Sequence, residues 1–130
     1  MIGSEDMQRK AAALRAHRPF AGFTESERAL VAAQAVWRRF MPGQIIVAAD
    51  TVPDQLFICV EGDALTGSSF APAIFDAPGL LFGRPARQDH RAGAEGLTAL
   101  AIARPHAFTI ARECPDFVVG LLKMDPREPA

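Results

Sequence analysis

The sequence predicts a mainly β domain, a sandwich or barrel with helices at both ends, and three observations predict it. From Phe40 to Arg104 short apolar runs recur between turns that carry glycine or proline, the rhythm of a sheet folded over on itself. Ahead of that stretch and after it, apolar residues return at helical spacing beside capping residues. The chain has 130 residues, 49% hydrophobic and 22% charged. That is enough for one packed core and too short for two ordinary domains.

Each element follows in order. Ser4 stands as a capping residue before Glu5 and Asp6, acids placed where the helix dipole favours them, and Met7, Ala11 and Leu14 give a thin apolar stripe through Ala16. His17-Arg18-Pro19 interrupts this helix. Thr24 with Glu27 three residues on forms a capping box, which opens a second helix through about Trp37 with Leu30, Val31 and Trp37 as packing residues. Pro42-Gly43 is a turn pair, Ile45-Ile46-Val47 a β-branched run, and Asp50 to Asp54 a polar turn around Pro53. Leu56 to Val60 is apolar at every position, so that strand is expected to be buried on both faces and to end at Glu61-Gly62-Asp63. Ala73 to Phe75, Leu80 to Phe82 and Leu97 to Ile102 read as further short strands. Pro105 suits a first helical turn, Cys114-Pro115 breaks that helix and restarts another carrying Phe117, Val118, Leu121 and Leu122, and Asp125 to Ala130 reads as a frayed tail. The expected layout is a single domain: helical lead 1–39, β region 40–104, short helices 105–124 and tail 125–130.

Composition excludes several functions. Net charge is −1, so no basic field draws the chain to duplex DNA, and no DNA partner is expected. No apolar run approaches the roughly 20 residues of a membrane span, and the polar amino end is no leader, so the expectation is a soluble cytoplasmic protein. Cys59 and Cys114 match no Cys-x-x-Cys or metal spacing and read as free thiols, Cys59 in a strand and Cys114 at a helix break. His17, His90 and His106 lie on separate segments without a metal-binding pattern, and no Gly-x-Ser-x-Gly is present. Neither a metal nor a catalytic set is expected.

Phe40-x-Pro42-Gly43-Gln44-Ile45-Ile46, Asp50, and Asp54-x-Leu56-Phe57-Ile58-x-Val60-x-Gly62 resemble the first half of a cyclic-nucleotide-binding domain. The similarity extends back through Phe20-x-Gly22-Phe23-Thr24 and forward through Phe82-Gly83, Leu100-x-Ile102-x-Arg104, Phe108 and Pro115. The resemblance implies a jelly-roll or β-roll with flanking helices. It also implies a phosphate-binding cassette: Phe-Gly-Glu, an apolar residue and Ala, then an arginine about ten residues later followed by small residues. On that pattern the candidate ligand-binding residues are Phe82, Gly83, Arg84, Ala86, Arg91 and Ala92. Arg84 stands where the family has its ribose-binding glutamate, and Pro85 where it has an apolar residue.

Those departures carry a cost. Arg84 is donor-only and cannot accept the ribose hydroxyls as a glutamate does. Pro85 removes an amide from the anion loop, yet proline suits the first turn of a short helix, whose amino end still favours phosphate. Arg84, Arg87 and Arg91 together suit a more anionic ligand or an acidic partner. The plainer reading of these arginines is a solvated loop in a chain where only Lys10 and Lys123 are lysines.

The resulting expectation is a stand-alone, non-catalytic regulatory module of cyclic-nucleotide-binding type with weakened or altered ligand specificity. It needs no cofactor beyond a cyclic nucleotide or other phosphate-bearing ligand. The alternative is a degenerate β-roll that binds protein without nucleotide. A cupin-like metalloenzyme is the distant third. The apolar faces Met7/Leu14 and Phe117/Leu121 belong to the core or to a homodimer seam.

Overall fold

A computed structural model describes residues 2–122; the tail at 125–130 lies outside them. The lead consists of α1 (Ile2–Arg15), the one-turn α2 (Arg18–Ala21) and α3 (Glu25–Gln34). The first helix begins at Ile2, so Ser4 falls inside its first turn rather than at the cap. The capping box is formed as expected: the Glu27 N–H donates to Thr24 Oγ1 at 3.1 Å and the Thr24 N–H to Glu27 Oε1 at 2.8 Å. These bonds satisfy two amides that the first helical turn leaves without partners.

The second helix stops at Gln34, three residues before the expected Trp37. β1 (Ala35–Phe40) follows, pairing antiparallel with β5 (His90–Ala103) from Ala35↔Ile102 to Phe40↔Leu97. Val36 and Trp37 suit a pleated surface better than a helix end. Trp37 is fixed by α1, its Nε1 donating to Asp6 Oδ1 at 2.7 Å while the Arg9 guanidinium lies 4.9 Å from the ring centre. Lys10 Nζ closes the corner, donating to the Ala35 carbonyl at 2.7 Å.

β2 (Ile45–Val47) pairs with the amino end of β5, and β3 (Gln55–Thr66) pairs along the length of β5. The third strand does not end at Glu61-Gly62-Asp63. It continues to Thr66 through two bulges, with Gly62 at φ 88°, and turns into β4 (Ser69–Phe70). The sheet order is β1-β5-β3-β4 with β2 also on β5. Residues 90–103 therefore form one long strand at the sheet's centre. Ala73 to Phe75 supplies only a bridge, Ile74 to Ile58. Leu80 to Phe82 is not a strand but part of α4 (Ala77–Phe82), where Pro78 fits the first turn and Gly83, at φ 67°, ends the helix. α5 (Arg104–Glu113) and α6 (Pro115–Leu122) meet at Cys114, as the proline spacing predicts.

Alternation splits the apolar residues into two cores. Leu56, Ile58, Leu100 and Ile102 face the helices, packing with Leu14, Phe20, Val31, Ile110, Phe117 and Leu121. Phe57, Leu97, Ala99 and Ala101 face the inside of the roll, with Phe40, Val47, Phe75, Ala86 and Ala92. Burial on both faces is why β3 reads as an unbroken apolar run.

Candidate functional site

The short helix expected after Gly83, with Pro85 in its first turn, stands before it instead. α4 uses Pro78, and residues 83–89 form a loop. The loop holds Ala86 buried, its N–H donating to the Thr51 carbonyl at 2.8 Å and its carbonyl accepting from the Asp50 N–H at 2.7 Å. Both polar groups of that peptide are thus spent on the 48–54 turn.

The six candidates do not converge. Phe82 is 56% exposed, and the Arg84 guanidinium lies 5.5 Å from its ring centre on the outer surface. Gly83 abuts Arg104: a Cβ placed on it would lie 3.2 Å from Nη2. Arg91 faces outward on β5, its guanidinium 3.2 Å from Asp89 Oδ2 and 3.4 Å from the Gly43 carbonyl. Asp89 in turn accepts the Ala49 N–H at 2.7 Å, and this bond, reinforced by Arg91, holds its carboxyl below the usual value. Ala92 is buried, and its peptide exchanges two hydrogen bonds with residues 43 and 44.

The inward residue is His90, which sequence reasoning passed over. Strand alternation carries the signal: a neighbour of outward Arg91 must point into the roll. Its ring is buried, with Nδ1 2.9 Å from Thr66 Oγ1, Nε2 3.6 Å from Asp76 Oδ2, and the Phe75 ring centre 4.8 Å away. Phe75 stacks on Phe57 at 6.1 Å and Phe57 meets Phe40 edge-on at 5.7 Å. A row of rings ending in an imidazole therefore fills this part of the roll.

Asp76 sits at the amino end of α4 with φ 56°, a left-handed conformation that favours glycine. Its carboxylate lies against the helix: a Cβ on Gly79 would be 2.6 and 2.7 Å from the two oxygens. A side chain at position 79 would have to displace that carboxylate. Oδ2 is buried without a hydrogen-bond donor.

Two clefts lie elsewhere. One of about 450 Å³ is bounded by Phe23, Glu27, Cys114, Asp116 and Val119, and one of about 250 Å³ lies between α1 and α3. No cassette candidate lines either. Among the described residues, no three histidines, cysteines or acids gather where a metal ion could be held.

This arrangement of roll, short helix and flanking helices has the fold of cyclic-nucleotide-binding domains, as solved structures show. The regulatory domain of Toxoplasma gondii PKA, crystallised with cAMP, superposes with a TM-score of 0.80 at 18% identity, covering 94% of this chain and 51% of that one. A PKAR CBD2 domain bound to Sp-2Cl-cAMPS gives 0.75 at 16% identity, covering 93% and 87%. The regulatory subunit of a cAMP-independent protein kinase A from Trypanosoma cruzi, bound to guanosine, gives 0.68 at 15% identity, covering 82% and 40%. The chain spans about half the length of the Toxoplasma structure. No protein-family model and no curated protein sequence matches it. No helix among the described residues is long and apolar enough to cross a membrane.

Proposed function

We propose that this chain is a non-catalytic regulatory module that keeps the cyclic-nucleotide-binding fold and acts through protein contact, without nucleotide. The observation that carries this reading is the position of Asp76: its carboxylate lies against the cassette helix, 3.6 Å from His90.

The family pattern explains why. Laid on the helix at 77–82, Phe-Gly-Glu, an apolar residue and Ala fall on Phe75, Asp76, Ala77, Pro78 and Gly79. Asp76 then occupies the glycine position and has a positive φ, a conformation that suits glycine. Ala77 takes the place of the ribose-binding glutamate and offers no acceptor. A carboxylate at the cassette's glycine position repels a second anion brought beside it. Arg91, already committed to Asp89, offers little compensation.

The test is calorimetric titration with cyclic AMP and cyclic GMP on wild type and Asp76→Gly. No heat from wild type up to millimolar nucleotide supports the reading. Micromolar binding by the wild-type chain overturns it in favour of an altered sensor.

A further inference from the structure

We infer that the surface where α4 meets α5 is the docking face of this module, and that it takes an acidic protein segment carrying an apolar side chain. The inference names the surface and partner chemistry of the proposed module, and so rests on that reading.

Two exposed phenylalanines lie here, each covered by an arginine. Phe82 is 56% exposed with the Arg84 guanidinium 5.5 Å from its ring centre; Phe108 is 40% exposed with that of Arg104 at 5.3 Å. Gly83 joins the pairs, because Arg104 Nη2 passes against it. The left-handed turn at Gly83 directs Arg84 back over the end of α4.

The cations are uncommitted. Among the described residues, neither Arg84 nor Arg104 forms an ion pair, whereas Arg91 is paired with Asp89. Arg104 Nε is buried, out of a partner's reach, so the exposed guanidinium of the pair is that of Arg84. A guanidinium spread over an aromatic ring keeps its edge free, and that edge fits a carboxylate through two parallel hydrogen bonds. The exposed ring margins offer apolar contact beside it, the aromatic-and-arginine composition that dominates binding energy at protein interfaces.

Charge selects the occupant. The chain's net charge of −1 gives no field to hold a long polyanion, so a nucleic acid would rely on a few arginines alone. A short segment with one or two carboxylates next to a leucine or phenylalanine matches both parts of the surface.

The experiment pans a phage-displayed library of random 12-residue peptides on the purified chain, then measures the enriched peptides by fluorescence anisotropy. The variants are Arg84→Glu, Phe82→Ser and, as a distant control on β1, Arg39→Glu, each confirmed folded by circular dichroism. Arg84 and Phe82 are exposed, so neither change opens the core. The expected result is enrichment of Asp or Glu beside Leu or Phe, with affinity at least about tenfold weaker for Arg84→Glu and Phe82→Ser and unchanged for Arg39→Glu. Three results would overturn the inference: no such enrichment, peptides indifferent to Arg84 and Phe82, or self-association of the chain that Arg84→Glu abolishes, which would make a second copy the occupant. Peptides that bind elsewhere defeat this surface but leave the protein-contact reading standing. Nucleotide binding in the titration above defeats that reading without touching this test.

Discussion

Asp76 Oδ2 stands 3.6 Å from His90 Nε2, linking the residue before α4 to the first residue of the central strand. His90 also reaches Thr66 at the end of β3, so one imidazole ties three segments of the roll. His90→Leu leaves the Thr66 hydroxyl and the Asp76 carboxylate without it, and is expected to cost about 1–3 kcal/mol in urea unfolding. A loss below 0.5 kcal/mol, taken here as roughly the effect of a neutral surface change, would show that the cluster does not hold the roll.

The backbone at Asp76 gives a sharper comparison. Asp76→Gly and Asp76→Ala both remove the carboxylate, but alanine must also adopt φ 56°. The glycine variant is expected to be more stable by about 1 kcal/mol, and equal unfolding midpoints would contradict the left-handed conformation.

Gly62 and Gly43 form a second pair. Both have positive φ, but a Cβ on Gly62 would overlap the Gly96 carbonyl oxygen, whereas nothing lies within 4 Å of one on Gly43. Both alanine variants bear the left-handed strain; only Gly62→Ala must push two strands apart. Its extra cost is expected to be about 1–3 kcal/mol, measured as the difference between their urea midpoints.

Stability should fall in two steps as pH drops. Burial, partly offset by a hydrogen bond to the Cys59 backbone, holds His17 below the ordinary 6.5. The unfolded chain therefore takes up protons first, and stability is lost as pH falls through 6.5 toward the folded value. Asp89 and Glu27 are held low chiefly by the Ala49 and Thr24 amides; their contribution is present above about pH 4 and is lost as pH falls through their folded values. His17→Gln should remove the upper step alone in urea melts at pH 5.5 and 7.5.

Both thiols should resist modification. Burial, with Asp63 nearby, pushes Cys59 up to about 12, and burial also raises Cys114. At pH 8 a disulfide reagent is expected to react with them much more slowly than with a free thiol, and at full rate in denaturant. Fast reaction of the native protein would show that one of these sites opens.

Much of the fold was legible because its signals are local. Thr24 and Glu27 lie three residues apart and cap a helix wherever the rest of the chain goes. Leu56 to Val60 announces a strand buried on two sides, and Pro115 the start of the last helix. The misses occurred where distant partners decide. Trp37 read as a helix residue, but pairing with Leu100 and the Asp6 hydrogen bond draw it into β1. Leu80 to Phe82 read as a strand, but no neighbour pairs with it, and Pro78 and Gly83 bound a helix instead.

The site divides in the same way. Arginines between 84 and 91 are plain in the sequence, but their direction is not, because a one-residue step along a strand reverses a side chain. Arg91 points out and His90 points in. The amino acids alone determined a glycine- and proline-punctuated β-roll with helical ends, since turn geometry and apolar period are properties of neighbouring residues. Only the tertiary structure decided that Asp76 meets His90 across the roll and that Arg84 and Arg104 flank one aromatic surface. Those contacts join residues 14 and 20 positions apart, and strand register and helix packing set them.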